Sequence, residues 1–214
     1  MTKKVTVIDY GVGNLLSVER AFEHFGAEVL LTSDPKHVLD AELLVLPGVG
    51  AFHNGMAELS RLNLVDVISE FATKERPFLG ICLGMQMMLS MSEEFGETKG
   101  LNLIPGKVIK IPDTDASGNK HKIPHIGWSA LRKPSADTNW DQTILQSTNE
   151  GEMTYFVHSF TAMPENESHR LADCEYDGRK ISAAIRRDNL YGCQFHPEKS
   201  GEAGLKMIEA FLKF

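Results

Sequence analysis

The sequence has few cysteines, no long apolar run and fewer basic than acidic residues. Its three cysteines, Cys82, Cys174 and Cys193, include no C-x-x-C pair and are too few for the disulfide framework of a small secreted domain. No apolar run reaches the roughly 18 residues of a membrane span, and the start at Met1–Val5 lacks the pattern of a secretory signal. These absences predict a cytoplasmic protein without a membrane-spanning segment, in which Cys174 and Cys193 are inert packing residues.

The deficit of basic residues bears on the partners that the protein can have. There are 22 Lys and Arg against 29 Asp and Glu, which gives a formal net charge of -7. An acidic chain is repelled by phosphate backbones and anionic lipids, so we expect neither a nucleic acid nor a membrane as partner. Hydrophobic residues make up 42% of the 214 residues, enough to bury one sizeable core, and we expect a single domain over residues 1–214.

Short apolar runs alternate with segments of helical spacing in the first half of the chain. Strands are predicted at residues 5–9, 28–32, 43–47 and 78–82, and helices at residues 15–25, 35–39, 52–59 and 64–72. This rhythm predicts a three-layer α/β fold, in which helices cover both faces of a mostly parallel sheet. Ligands of such sheets bind at the carboxyl ends of the strands.

The second half of the chain has a different texture. Alternation around residues 100–112 predicts an added antiparallel strand region, with a polar hairpin tip at residues 113–120 and an aromatic-bearing loop at residues 124–128. Further strands are predicted at residues 152–160, 180–186 and 191–195, and a last helix at residues 202–212.

Cys82 lies between a predicted strand and a predicted helix that starts at residues 85–91. With Gly80 and Gly84 it forms G-x-C-x-G, the pattern of a nucleophile elbow with sulfur in place of oxygen. Glycines are needed there because the turn is strained and crowded by neighbouring backbone, and the helix start stabilises a thiolate. A buried structural cysteine beside two turn glycines would give the same pattern, so the interpretation depends on a base elsewhere in the chain.

A nucleophilic thiol needs a base and a third group that orients the base. His196 follows an apolar strand, which places it at the carboxyl edge of the sheet, and Pro197 favours an extended path there. Glu198 lies two residues on in this extended segment, points the same way and can fix the tautomer of the imidazole. A loop with a solvent-facing acid is the alternative, but together with the elbow these residues predict a triad of Cys82, His196 and Glu198.

An acyl transfer also needs donors for the developing oxyanion. The backbone N–H of Leu83, directly after the nucleophile, is one candidate. The turn at residues 47–50 ends a neighbouring strand and can supply the second donor from Val49 or Gly50, and its glycines would let a peptide plane rotate. An ordinary strand-to-helix turn is the alternative. Neither a metal nor another cofactor is expected, because the sequence has no metal-ligand cluster and no phosphate loop, and Gly11-x-Gly13 lacks the third glycine of a dinucleotide site.

Six segments carry a family resemblance: residues 9–15 (DYGVGNL), 46–50 (LPGVG), 80–86 (GICLGMQ), 124–128 (PHIGW), 155–159 (YFVHS) and 194–200 (QFHPEKS). On these motifs the chain resembles the class I (triad) glutamine amidotransferases, and more closely the glutaminase subunits of imidazole glycerol phosphate synthases of histidine biosynthesis. The resemblance implies a flavodoxin-like fold.

The resemblance also implies the chemistry of the site. Cys82 would attack the side-chain amide of L-glutamine to give a γ-glutamyl thioester and ammonia, and water would then release glutamate. His196 would act as base and then as acid, with Glu198 behind it. The positions that match glutamine-binding residues of the family are Gly48, Gln86, Glu94, His158, Ser159 and Phe160, and the carboxylate of Glu94 suits the α-ammonium group of the substrate.

A partner follows from the same resemblance. It would be a (β/α)8-barrel cyclase that receives the ammonia through a tunnel and makes imidazole glycerol phosphate and the carboxamide ribonucleotide AICAR. The matching partner-facing or hinge positions are Asn14, Trp128, Tyr155 and Lys199. Trp128 would anchor the interface from a loop, with a buried core Trp as the alternative. The turn at residues 48–50 would switch the glutaminase on when the partner is loaded, and Ser129 stands where the family commonly has Asn.

Three other functions stay open. A paralogous glutaminase that supplies ammonia to a sugar-modifying synthase in surface-polysaccharide synthesis shares almost all these motifs. A stand-alone Cys hydrolase, such as a γ-glutamyl hydrolase or a cysteine peptidase, would act without a partner. A binding-only protein with a dead site is disfavoured by the intact set of Cys82, His196 and Glu198.

Overall fold

The computed structural model describes residues 2–214, and within them a large sheet lies between two layers of helices. The helices are α1 Leu15–Glu23, α2 Pro35–Asp40, α3 Phe52–Arg61, α4 Val65–Ala72, α5 Leu83–Met87 and α6 Gly201–Phe211, with 3-10 turns at Glu167–His169 and Pro197–Lys199. The strands are β1 Lys4–Ile8, β2 Glu28–Thr32, β3 Leu43–Gly48, β4 Phe78–Cys82, β5 Leu89–Ser92, β6 Thr98–Lys99, β7 Ile104–Lys110, β8 His125–Ala130, β9 Met153–His158, β10 Phe160–Pro164, β11 Arg170–Tyr176, β12 Arg179–Arg187 and β13 Leu190–Cys193.

The strand order of the large sheet decides which loops meet. Its order is β11-β12-β13-β4-β3-β1-β2, and the strands from β13 to β2 are all parallel. Strand β4 therefore lies between β3, where Gly48 is paired with Cys82, and β13, where Cys193 is paired with Ile81. Because parallel neighbours end at the same edge of a sheet, the residues that follow β3, β4 and β13 share one site.

Apolar side chains fill both faces of this sheet. On one face, α1 and α6 pack against it, with Phe22 and Phe211 in edge-to-face contact at 6.1 Å between ring centroids. On the other face, α2 to α5 cover it, and side chains such as Phe52 and Phe71 are fully buried. The predicted three-layer α/β fold is confirmed. Among the helices of residues 2–214, none combines the length and the apolar character that a membrane crossing requires.

Two smaller sheets stand beside the large one. One has the order β10-β7-β5-β6, in which β7 pairs antiparallel with β10 and parallel with β5. The other joins β8 and β9 as an antiparallel ribbon, with His125 opposite His158 and Trp128 opposite Tyr155. The added antiparallel region therefore exists, and it is built mainly from segments after residue 88.

Some local predictions are wrong. The helix predicted over residues 85–91 ends at Met87, since Leu89–Ser92 instead pairs with β7 as strand β5. The loop predicted at residues 124–128 is strand β8, and the single strand predicted over residues 152–160 is interrupted at Ser159. No boundaries were predicted for strand β11, which contains Cys174. In each case long-range pairing decides the conformation, and a single sequence carries no signal of it.

Candidate active site

Cys82 occupies a strained turn between β4 and α5. Its backbone has φ 55° and ψ -108°, outside the conformations that residues with a side chain prefer, and it forms the N-cap of α5. A Cβ on Gly84 would collide with the carbonyl oxygen of Leu46, and one on Gly80 would lie 2.8 Å from backbone atoms of Gly84 and Met85. Both glycines are therefore required by close backbone approach, as the G-x-C-x-G pattern predicts.

His196 and Glu198 form a buried pair just beyond β13. Nδ1 of His196 lies 2.8 Å from Oε1 of Glu198, and both side chains are only 2% exposed. His196 itself is extended, as expected, but the segment that follows is not: Pro197–Lys199 is a 3-10 turn, which folds the carboxylate back onto the ring. Because a carboxylate accepts, Nδ1 carries the proton, and Nε2 is the nitrogen available to Cys82.

The charge state of His196 is set by its neighbours. Burial lowers the pKa of His196, but the interactions with Cys82 and Glu198 outweigh burial and raise it to about 9. Neutral solution therefore favours an imidazolium beside the sulfur, which is the pairing that stabilises a thiolate.

A pocket of about 370 Å³ opens at this edge of the sheet. It is lined by Val49, Gly50, Cys82, Leu83, Gln86, Glu94, Phe95, Pro124, Val157, His158, Ser159, Phe160 and His196. The fold thus brings together the predicted nucleophile and base, the three residues predicted for the oxyanion hole and five of the six predicted for glutamine binding. The volume of the pocket is large enough for a free amino acid.

Gly48 is the predicted glutamine-binding residue that does not reach the pocket wall. It lies at the end of β3, where a Cβ would collide with the hydroxyl of Tyr10. That hydroxyl donates a 2.8 Å hydrogen bond to the carbonyl oxygen of Pro47. Gly48 is small because Tyr10 packs against it, and Tyr10 holds the strand end that leads to Val49 and Gly50. The substrate contact expected for Gly48 stays a prediction.

Glu94 has a structural contact that the sequence did not suggest. It lies in the turn after β5, is 9% exposed, and its Oε2 accepts a 2.6 Å hydrogen bond from the backbone N–H of Phe52 at the start of α3. One carboxylate oxygen therefore satisfies a helix N-terminus. Oε1 is then left to receive an ammonium group in the pocket.

Gln86 is buried and holds two acceptors with its amide nitrogen. Nε2 lies 3.1 Å from the carbonyl oxygen of Phe160 and 2.9 Å from Oε1 of Gln194. Gln194 in turn lies 3.7 Å from Sγ of Cys82 through its own Nε2. Sequence reasoning assigned no role to Gln194, although it stands two residues before His196, directly after the end of strand β13.

Phe95 is a second residue that sequence reasoning missed. It lines the mouth of the pocket with 89% of its surface exposed, and its ring centroid lies 6.4 Å from that of Phe160. No pattern in the sequence marks an exposed aromatic in a turn. No group of three or more potential metal ligands lies together within residues 2–214, and the expectation of no metal stays a prediction.

The four expected partner-facing residues lie on adjoining elements. Trp128 is 52% exposed and meets Tyr155 across the β8–β9 ribbon at 5.9 Å between ring centroids, so it is not a core Trp. Tyr155 accepts a hydrogen bond from the backbone N–H of His196 at 2.9 Å, next to the turn that carries the exposed Lys199. Asn14 is exposed at the start of α1, which also contacts this turn.

A family model described as glutamine amidotransferase class-I matches residues 6–214. The chain belongs to this family. The class I glutamine amidotransferase is 56% identical over 209 residues, 98% of each chain, to "Imidazole glycerol phosphate synthase subunit HisH 1" of Legionella pneumophila (strain Paris). It is 45% identical, over 97% of each chain, to the HisH subunit of Geobacter sulfurreducens. The resemblance inferred from the six segments is confirmed.

Solved structures agree with this amidotransferase at the level of the fold. The structure of PurLQS from Thermotoga maritima has a TM-score of 0.72 at 20% identity, covering 100% of this chain and 99% of the other. A glutamine amidotransferase from Thermotoga maritima has a TM-score of 0.62 at 19% identity, covering 92% of this chain and 77% of the other. The fold class predicted from the sequence is that of these proteins.

Proposed function

We propose that this class I glutamine amidotransferase is the glutaminase subunit of an imidazole glycerol phosphate synthase. It hydrolyses L-glutamine to glutamate and ammonia and passes the ammonia to a cyclase subunit. The observation that carries the proposal is the strained Cys82 in one pocket with His196, which is held by Glu198. The printed names of the relatives support the assignment to this synthase.

The reaction follows from the order of these groups. The thiolate of Cys82 attacks the side-chain carbonyl carbon of glutamine, and the oxyanion that forms is held by backbone N–H groups of Leu83 and of Val49 or Gly50. His196 gives its Nε2 proton to the nitrogen, the C–N bond breaks, and ammonia leaves a γ-glutamyl thioester. His196 then takes a proton from water, hydroxide attacks the thioester carbon, and glutamate departs with the thiolate restored.

The substrate is held at its far end by the opposite wall of the pocket. The Oε1 atom of Glu94 pairs with the α-ammonium group, and Gln86 together with the segment 158–160 lines the path of the side chain. A carboxylate with only 9% exposure is a strong partner for an ammonium, because a charge-assisted hydrogen bond gains strength away from water.

The ammonia acceptor is the second part of the proposal. Ammonia released into water would be protonated, so the product must pass directly into a partner protein. We assign this role to a (β/α)8-barrel cyclase that forms imidazole glycerol phosphate and AICAR, and that docks over the exposed Trp128 and Lys199 with Asn14 and Tyr155 as hinge or interface residues. We place this heterodimer in the cytoplasm.

Measurement of glutaminase activity with and without the purified cyclase and its nucleotide substrate tests this function. Activity that appears only with the loaded partner supports the proposal. Strong activity of the free chain would favour a stand-alone hydrolase. Activity that responds instead to a sugar-modifying synthase would favour the paralogous pathway.

A further inference from the structure

A continuous series of buried and partly buried hydrogen bonds leads from strand β8 towards the pocket. Oγ of Ser129 lies 2.9 Å from Nε2 of His125, and Nδ1 of His125 lies 3.0 Å from Nε2 of His158. Nδ1 of His158 lies 2.8 Å from the carbonyl oxygen of Phe160. The ring of His125 is stacked between those of Phe156 and Tyr176, at 5.0 and 4.2 Å between centroids, which fixes its orientation.

The series continues to the sulfur of the nucleophile. The carbonyl oxygen of Phe160 also accepts from Nε2 of Gln86, which is hydrogen-bonded to Oε1 of Gln194, and Nε2 of Gln194 faces Sγ of Cys82. Gln86 is 6% exposed and Gln194 is fully buried, so water does not compete for these contacts. In the proposed reaction Gln86 lines the path of the substrate side chain, whereas Gln194 has no role.

The carbonyl oxygen of Phe160 fixes which atoms donate and which accept in the part of this series that runs from Ser129 to Phe160. A carbonyl only accepts, so Nδ1 of His158 must carry a proton. Burial lowers the pKa of His158 to about 3, so its ring is neutral and Nε2 accepts from Nδ1–H of His125. Burial also lowers the pKa of His125 to about 4, so its Nε2 accepts from the hydroxyl of Ser129.

The same carbonyl oxygen also fixes which atoms donate and which accept in the part of the series that runs from Phe160 to Cys82. Gln86 must present its NH₂ group to Phe160, and the second N–H of that group meets Oε1 of Gln194. Gln194 therefore cannot turn its oxygen towards Cys82 without losing this hydrogen bond. It presents an N–H to the sulfur, and a donor at this distance favours the thiolate over the thiol.

We infer that Gln194 is a further catalytic residue, whose amide N–H stabilises the thiolate of Cys82, and that Gln86 and the Phe160 carbonyl are the positioning groups that fix the direction of this amide. The inference rests on the proposed role of Cys82 as nucleophile. A purely structural role for Gln194 is the alternative, in which its amide only fills a polar gap beside β4.

Alkylation of Cys82 by iodoacetamide separates these roles without any need for glutamine or a partner. The rate at Cys82 is followed by peptide mass spectrometry from about pH 5 to pH 10, a range that spans thiol ionisation in proteins. The variants are Gln194→Met, Gln86→Met and the double variant, in which the side-chain volume is nearly kept and the donor is lost. The control is Gln146→Met, the same change at an exposed position.

For Gln194→Met we expect the midpoint of alkylation to move to higher pH, and alkylation at pH values below the wild-type midpoint to be about three- to tenfold slower, since a donor to the charged sulfur is lost. The plateau rate at high pH should not fall, because a more basic thiolate is intrinsically at least as nucleophilic. Gln86→Met should also move the midpoint of alkylation to higher pH. The double variant should be no slower than Gln194→Met, because both changes remove the same oriented N–H donor to the sulfur.

An unchanged midpoint in Gln194→Met overturns the inference, as do strictly additive effects of the two changes or a rate that falls equally at every pH. If Gln194→Met does not fold, an unchanged midpoint in Gln86→Met has the same consequence. Failure of the proposed function would be seen separately, as wild-type protein that lacks glutaminase activity with the loaded partner while its alkylation profile still responds to these changes.

Discussion

At the scale of single residues, His196 depends on two neighbours for its charge. Burial alone would lower its pKa, and Cys82 together with Glu198 raises the pKa to about 9 instead. The imidazolium that would protonate the leaving ammonia in the proposed reaction is therefore present below about pH 9 and is lost above it. The 2.8 Å contact between Nδ1 and Oε1 also orients the ring.

Replacement of Glu198 by Gln tests this dependence. Because the carboxylate charge raises the pKa of His196, its loss should move the alkaline limb of kcat/KM from about pH 9 to lower pH. Turnover should fall by roughly a thousandfold or more, since the orienting acid of such triads is lost. Measurements of kcat/KM against pH, with Glu202→Gln on the exposed face of α6 as control, check this. A limb that stays in place would contradict the assignment.

Glu94 combines two roles that different substitutions separate. Glu94→Gln keeps an oxygen for the N–H of Phe52 but loses the charge proposed for the substrate ammonium, so KM for glutamine should rise by about tenfold or more at nearly unchanged stability. Glu94→Ala should raise KM as well and also lower the free energy of unfolding by about 0.5–2 kcal/mol, because the start of α3 is left unpaired.

The control for both Glu94 variants is Glu97→Gln, an exposed carboxylate in the same turn region. Steady-state kinetics and denaturant unfolding are measured on each variant. A normal KM in Glu94→Gln would limit Glu94 to the support of α3.

At the scale of elements, the elbow depends on the packing of α5 against β3. Gly84 approaches the carbonyl oxygen of Leu46 so closely that even a methyl group has no room. Ala is normally preferred over Gly inside a helix, by about 1 kcal/mol. The steric conflict should reverse this preference, since the backbone of a central strand cannot yield.

Gly84→Ala should therefore destabilise the protein by about 3 kcal/mol and slow the alkylation of Cys82. The matched control is Gly118→Ala, where φ is +88° but a Cβ would meet no atom within 4 Å, and a loss of about 1 kcal/mol from backbone strain is expected. Denaturant unfolding measures both. An equal loss of unfolding free energy in the two variants would show that the close approach of Gly84 to Leu46 does not control the elbow.

The elements also show what the sequence could and could not predict. The parallel strands and the edge that joins Cys82 to His196 follow from local apolar runs and from the rule for parallel sheets. Strands β5 and β8 were missed because the local sequence favours a helix after the elbow and a loop around Pro124 and Gly127, whereas pairing with β7 and β9 decides the conformation. The amide orientation of Gln194 could not be predicted either, since it depends on a carbonyl of Phe160 that the fold brings near.

At the scale of the whole molecule, the site and the proposed docking surface share a boundary. The backbone of Tyr155 accepts from His196, and the ring of Tyr155 meets the exposed Trp128. A partner seated on Trp128 would therefore lie next to the turn that follows His196, the proposed base. A single domain over residues 1–214 stays a prediction that unfolding of the full chain would address.

The most direct test of the account is synthesis by the complete enzyme with Cys82→Ala. With the purified cyclase and its nucleotide, we expect no imidazole glycerol phosphate from glutamine, because no thioester can form, and near wild-type synthesis from ammonium salts, because the partner's own chemistry is intact. Glutamine-dependent synthesis that survives in Cys82→Ala would contradict the central claim that this sulfur releases the ammonia.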